Sequence, residues 1–161
     1  MKSIVFLLIG FALILKIDIS EVRTLYKKAN ESSAVTDDLS DMLSAVTAKD
    51  EPLLMAYKGA ALTLKAKHAK GLGSKKSFFK EGASLLETAI EKEPTNIEIR
   101  LLRLSVQENA PRITGYKDNL EQDKEFIHTH YPKTKNPDVK SFVKGYVLTS
   151  ELFTDAEKQL Y

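Results

Sequence analysis

The stretch of sequence that decides the fold is GASLLETAIEKEP, residues 82–94. Gly82, Leu86 and Ala89 are spaced by four and three residues, so they share one face of a helix. The two small residues let a neighbouring helix approach closely, and the leucine between them packs against it. Pro94 ends the helix, because it has no backbone N–H and excludes the helical conformation from the residue before it.

Apolar residues continue this face towards the N-terminus. Charged residues fall outside the stripe, and the pattern predicts an amphipathic helix that begins near Phe78 and ends before Pro94. The apolar positions at helical spacing are Phe78, Phe79, Gly82, Leu85, Leu86, Ala89 and Ile90.

The spacing resembles the second half of a tetratricopeptide helix pair. The first helix of that family carries a W-x2-L-G-x2-Y pattern, and Met55, Gly59 and Leu62 stand at the positions of its Trp, Gly and Tyr. Only the glycine matches in kind. The segment that leads from Leu62 to Gly82 is longer than in the family and contains GLGS, which predicts a longer first helix and a wider loop. The resemblance implies packed helix pairs and carries over no catalytic residue.

The rest of the chain has helical signals and no convincing strand. Short connections between about eight helices predict an all-α fold of antiparallel helical hairpins, a degenerate tetratricopeptide-like array. Residues 112–115 are expected to form a loop, and residues 116–131 a thinly apolar helix. Candidate helix starts, each a capping residue or a first-turn proline, are Ser20, Thr36, Pro52, Asn96, Asn136 and Thr154.

Length and composition bound the class of protein. The 161 residues suffice for one domain, and we expect residues 21–161 to form a single all-helical unit. The chain has no cysteine, which excludes disulfides, thiolate metal sites and cysteine catalysis. The net charge is only +2, so the molecule as a whole is not a polycation.

The N-terminus resembles a secretory leader. Lys2 precedes the apolar run IVFLLIGFALIL, residues 4–15, which is too short to cross a bilayer but has the length of a signal-peptide core. No A-x-A pattern follows, and only Ser20 is small. We expect residues 1–20 to be a signal peptide of an exported protein, periplasmic or secreted. An uncleaved membrane anchor through residues 4–15 and a buried first helix are the alternatives.

Lysines are concentrated between residues 58 and 80, and no acidic residue lies between Pro52 and Lys80. This run could bind anions such as lipid headgroups, with a candidate patch at Lys65, Lys70, Lys75 and Lys76. The favoured alternative is a solvated surface, because a helix spreads these lysines over several directions and no arginine is present. No nucleic-acid partner is expected for an exported chain.

The loop NAPRITGY, residues 109–116, is the second candidate for an interaction site. Arg112, Ile113 and Tyr116 could form a contact surface for a partner. In the favoured alternative, Ile113 and Tyr116 pack beneath the loop and Arg112 is solvated.

Catalytic and cofactor motifs are absent from the sequence. The GLGSK segment departs from the phosphate-loop pattern, and His128 and His130 diverge on a helix because they are two residues apart. We therefore expect no enzyme, metal, cofactor or small-molecule substrate. The expected function is a non-catalytic scaffold that binds a protein or peptide outside the cytoplasm. The alternative is a membrane-surface or anionic-ligand binder that uses residues 58–80.

Export predicts that the mature protein lacks residues 4–15. The intact mass of the protein purified from its native host should therefore be smaller than that of the 18.0 kDa chain. A full-length mass that includes Met1, measured in a soluble cytoplasmic fraction, would contradict export.

Overall fold

The computed structural model describes residues 17–161, in which every regular element is a helix. The predicted all-α fold is confirmed. Most of the predicted leader lies outside the described residues. The α-helices are α1 (Ile19–Ala29), α2 (Ser33–Met42), α3 (Pro52–His68), α4 (Leu72–Lys92), α5 (Ile97–Asn109), α6 (Leu120–His130), α7 (Pro137–Thr149) and α8 (Asp155–Lys158), and single 3-10 turns span Arg112–Thr114 and Tyr131–Lys133.

Four of the predicted helix starts are present. The Asn96 side chain accepts hydrogen bonds from the first backbone amides of α5, and Asn136 does the same for α7. Pro52 is the first residue of α3, where its missing N–H has no cost. Thr154 and Glu157 form the predicted reciprocal capping box of α8.

Two predicted starts are wrong, because other residues supply the cap. Asp18, not Ser20, caps α1 and accepts a hydrogen bond from the Ser20 amide at 2.8 Å. Ser32 caps α2, whereas the Thr36 hydroxyl lies inside the helix and donates to the Ala29 carbonyl at 2.8 Å. Both true caps have an extended backbone, which lets the side chain reach back to the first turn.

The connection from α3 to α4 is shorter than the sequence predicted. The predicted wider loop is wrong: α3 ends at His68, and α4 begins at Leu72, six residues before the predicted start at Phe78. Gly71, with φ of 85°, allows the reversal within three residues because it has no Cβ. The predicted helix 116–131 is also wrong at its start, since α6 begins only at Leu120.

Helices α3 and α4 pack backbone to backbone and run in opposite directions. A Cβ added to Gly59 would lie 2.6 Å from the Gly82 carbonyl oxygen and 3.0 Å from Leu86 Cγ. Leu86 is fully buried, as the stripe predicted. At one end of the pair Lys65 lies over the Phe78 ring, and at the other Lys92 Nζ is 3.7 Å from Met55 Sδ.

Helix α5 occupies the centre of the fold. It contacts α3, α4, α6 and α7. Its apolar side chains Ile99, Leu101, Leu102 and Leu104 are at most 1% exposed, so α5 is buried on more than one side. Helices α1 and α2 lie against α3, and an aromatic cluster of Tyr26, Tyr57 and Phe142 joins α1, α3 and α7 with ring centroids 5.7–6.3 Å apart.

Gly59→Ala and Gly82→Ala should each lower the free energy of unfolding by about 1–3 kcal/mol, because the new methyl group meets the backbone of the opposite helix. Gly145→Ala is the matched control, since a Cβ there meets nothing within 4 Å. Its removal of a helical glycine should raise stability by about 0.5–1 kcal/mol. Urea denaturation of the three variants decides between these outcomes. Equal effects at all three positions would contradict close packing.

Candidate functional site

A buried carboxylate at the start of α5 joins three helices. Arg23 of α1 donates two hydrogen bonds to Glu98, from Nε to Oε1 at 2.6 Å and from Nη2 to Oε2 at 2.8 Å. The Tyr57 hydroxyl of α3 donates to Glu98 Oε1 at 2.6 Å. Glu98 is only 2% exposed. Such a two-pronged arginine–carboxylate pair fixes orientation as well as distance.

A second carboxylate, Asp123 of α6, is fully buried beneath two arginines of α5. Arg103 donates to both of its oxygens, at 2.7 and 2.9 Å, and Arg100 donates to Oδ1 at 2.9 Å. Arg103 also donates to Glu87 of α4 at 2.8 Å. The Tyr116 hydroxyl donates to the other oxygen of Glu87, so this network extends from α6 to the 112–116 loop.

A third carboxylate, Glu108, joins the end of α5 to the end of α7. It accepts hydrogen bonds from the Tyr146 hydroxyl, from Ser150 Oγ at 2.8 Å and from the Glu151 amide at 3.1 Å. All three carboxylates have donors supplied by neighbouring elements. These carboxylates therefore hold neighbouring helices in position relative to α5.

Sequence reasoning missed these three clusters. The partners Arg23 and Glu98 are 75 residues apart in sequence, so no local motif connects them. One signal was available: charged residues interrupt the apolar sequence IEIRLLRL at the start of α5. A charge among so many apolar neighbours is buried only when it is paired.

Part of the lysine run between residues 58 and 80 stabilises the fold. Lys58 Nζ donates to the carbonyls of Ser44 and Val46, and Lys67 Nζ donates to Asn30. Lys65 lies 3.9 Å from an Asp37 carboxylate oxygen. Lys58 and Lys67 thus bind the chain just after α2 and α1, and Lys65 lies beside α2.

The remaining lysines of the patch lie at the exposed tip between α3 and α4. Residues 70–77, which we call the α3–α4 tip, are all exposed and include Lys70, Lys75 and Lys76. The same segment carries Leu72, whose surface is 86% exposed. The structure thus places three candidate lysines in the same exposed segment as Leu72, whereas Lys65 belongs to α3.

In the 112–116 loop, some of the predicted contact residues are exposed and one is packed against the fold. Ile113 is 95% exposed, and Arg112 is also exposed. Tyr116 instead packs edge-on against Phe79 of α4, with ring centroids 5.8 Å apart. The interpretation that Ile113 packs beneath the loop is wrong, because the 3-10 turn directs this residue outward while Tyr116 takes the inner position.

The two histidines of α6 have different surroundings. The His130 ring stacks on Phe126 at 3.8 Å, and its Nδ1 lies 2.8 Å from the Phe126 carbonyl oxygen. His128 is exposed beside a shallow cleft of about 270 Å³, which the Lys124–Glu157 ion pair at 2.9 Å partly lines. Gly71 precedes α4 but follows a helix, whereas a phosphate loop follows a strand.

Comparisons with known proteins do not assign this chain to a family: no family model, curated protein or solved structure matches it. Among residues 17–161, no group of three or more His, Cys, Asp or Glu side chains is placed to hold a metal ion. No helix of the described chain is long and apolar enough to span a membrane.

The surroundings of the tyrosines raise their pKa values. Burial raises the pKa of Tyr57, Tyr116 and Tyr146 far above 10, and the carboxylate beside each hydroxyl raises the pKa further. Burial also raises the pKa of Tyr26 and Tyr131, and that of Tyr161 to about 12. The pKa of each of the six tyrosines is therefore raised above its ordinary value of about 10 in the folded state.

Alkaline pH should unfold the protein through these tyrosines. The unfolded chain loses its tyrosine protons near pH 10 and the folded chain loses them at higher pH, so stability is full below about pH 10 and falls as pH rises above it. Tyrosinate absorbance should increase together with the loss of helical circular dichroism, apart from a contribution of Tyr161 near pH 12. Full titration near pH 10 with intact helices would contradict these burials.

Proposed function

We propose that this chain is a non-catalytic, tetratricopeptide-like helical scaffold that binds a protein or peptide partner outside the cytoplasm. The observation that carries the proposal is the display of Ile113, which is 95% exposed on an ordered turn. An isoleucine held in solvent on a fixed turn is suited to enter an apolar pocket of a partner, where its burial stabilises the complex.

Local contacts hold the turn in place on both sides of Ile113. The Thr114 hydroxyl and amide both bond to the Pro111 carbonyl, at 2.7 and 2.9 Å. Gly115, with φ of 65°, then redirects the chain so that Tyr116 reaches Phe79. A contact residue on such a fixed turn loses little conformational freedom on binding.

The exposed Arg112 beside Ile113 indicates the chemistry of the partner. An apolar pocket bordered by a carboxylate would accept both side chains, because the guanidinium group forms two parallel hydrogen bonds with a carboxylate. Tyr116 supports this surface from beneath and does not contribute to it.

The tetratricopeptide-like character of the proposal is supported by the α3–α4 packing. Gly59 and Gly82 stand at small-residue positions of the family pattern, and their backbones are in contact. Leu86 and Ala89 are fully buried. Helix α5 then contacts both members of the pair, as the next helix of a stacked array does. Tetratricopeptide proteins, which this helix pair resembles, bind proteins or peptides, and the proposal extends that role to this chain.

The location outside the cytoplasm is supported by the sequence of residues 1–20. A lysine followed by a 12-residue apolar run has the form of a secretory leader. Anchoring of the exported chain through residues 4–15 is compatible with the same partner-binding role.

Ile113→Asp should abolish capture of the partner, because a carboxylate cannot enter an apolar pocket without a large desolvation cost. Leu160→Asp is the matched control, since Leu160 is also exposed, at 63%, but lies next to the C-terminus. The tagged full chain is cross-linked in its native host and its adducts are identified by mass spectrometry. We expect one discrete protein adduct in wild type and in Leu160→Asp but not in Ile113→Asp. An adduct that persists in Ile113→Asp would contradict the proposed surface.

A further inference from the structure

We propose that the α3–α4 tip, residues 70–77, docks onto the surface of an anionic lipid bilayer, with Leu72 entering the interface between headgroups and acyl chains. This inference rests on a different surface from the one proposed to bind a protein partner. It uses the alternative function that the lysine-rich sequence suggested and assigns it to particular side chains.

The tip is the exposed end of the helix pair, away from the contact of α4 with Tyr116. Phe79 of α4 packs against Tyr116, whereas Leu72 lies seven residues earlier in the same helix. Seven residues of α-helix span about 10 Å. No neighbour lies within 4 Å of the Cβ positions of Gly71 and Gly73. The tip is therefore an exposed end of the helix pair that a flat surface can contact.

The composition of the tip matches a bilayer interface. Leu72 is 86% exposed, so its side chain can enter a bilayer without any change in the fold. Lys70, Lys75 and Lys76 are exposed around it, where they can lie at the level of the lipid phosphates. Lysine side chains reach a charged interface while their carbon stems lie along apolar surface.

The charges of the tip are available for lipid phosphates. Among residues 17–161, the lysines that form salt bridges are Lys65 and Lys124, neither of which lies in the tip. No acidic residue occurs between Pro52 and Lys80, so the tip has no carboxylate of its own. The three lysines around Leu72, with no carboxylate among them, favour an anionic bilayer as the occupant of this surface.

The chain contains no tryptophan, so one introduced indole reports on one position. Leu72→Trp is made in the full chain, and Leu160→Trp is the control. The full chain can also partition through its apolar residues 4–15, so the readout is local: fluorescence quenching by brominated lipids. We expect quenching and a blue shift for Leu72→Trp with vesicles of phosphatidylglycerol and phosphatidylcholine. With phosphatidylcholine alone, we expect no quenching and no blue shift for Leu72→Trp. Leu160→Trp should show neither signal with either kind of vesicle.

Charge variants on the Leu72→Trp background complete the test. Lys70→Gln, Lys75→Gln and Lys76→Gln together should raise the half-saturating lipid concentration on the order of 100-fold, since each cation near an anionic surface contributes roughly fivefold. The control triple Lys49→Gln, Lys133→Gln and Lys135→Gln removes the same net charge from exposed positions outside the tip and should change it little. Added salt should weaken the wild-type signal.

Three results would overturn the proposal. The first is the absence of quenching at position 72 in a variant with unchanged helical circular dichroism. The second is an equal loss in both triple variants, which indicates attraction by net charge alone. The third is capture of an acidic protein through the tip lysines without any response to vesicles. None of these results bears on Ile113, so failure here leaves the protein-partner proposal standing.

Discussion

The contact between the backbones of Gly59 and Gly82 is the constraint on which the rest of the structure depends. A Cβ on either residue would collide with the opposite carbonyl group, so α3 and α4 can approach this closely only where both side chains are absent. The close approach buries Leu86 against α3 and sets the position of both helices. Because α5 packs on this pair and contacts α6 and α7, a change in the distance between α3 and α4 would displace most of the core.

Buried ion pairs then fix the outer helices relative to α5. Glu98, Arg103 and Glu108 lie successively along α5 and contact α1, α6 and α7 respectively. Removing charges from water is costly, and the donors around each carboxylate offset that cost only when all of them are in place. These pairs therefore favour one arrangement of the helices over slipped alternatives. The same pairing keeps Glu98 and Arg103 of α5 buried, at 2% and 3% exposure.

Local signals predicted much of the fold. The all-α class, the burial of Leu86 and the caps of α5, α7 and α8 follow from neighbouring residues in sequence, where capping and helical periodicity operate. The α3–α4 connection was mispredicted because a single glycine with positive φ replaced a loop that GLGS had suggested. The long-range pairs were not predictable, since Arg23 and Glu98 have no local relation.

The candidate site was only partly predictable for a related reason. Sequence position identified Arg112, Ile113 and Tyr116 together, but the orientation of each depends on tertiary contacts. Tyr116 is drawn inward by Phe79 and Glu87, and the turn leaves Ile113 in solvent. The lysine run was also only partly predictable. Lys58 and Lys67 bind carbonyl groups of other elements, whereas the lysines of the α3–α4 tip are exposed.

The contact between the two glycines can be measured most directly by nuclear Overhauser spectroscopy. In the folded chain, the α-protons of Gly59 and Gly82 should give a cross-peak to each other, and those of Gly59 should also give cross-peaks to the methyl groups of Leu86. These cross-peaks connect residues of different helices and have no local origin. If both glycines are assigned and their α-protons show cross-peaks only within their own helices, the close α3–α4 packing described here is contradicted.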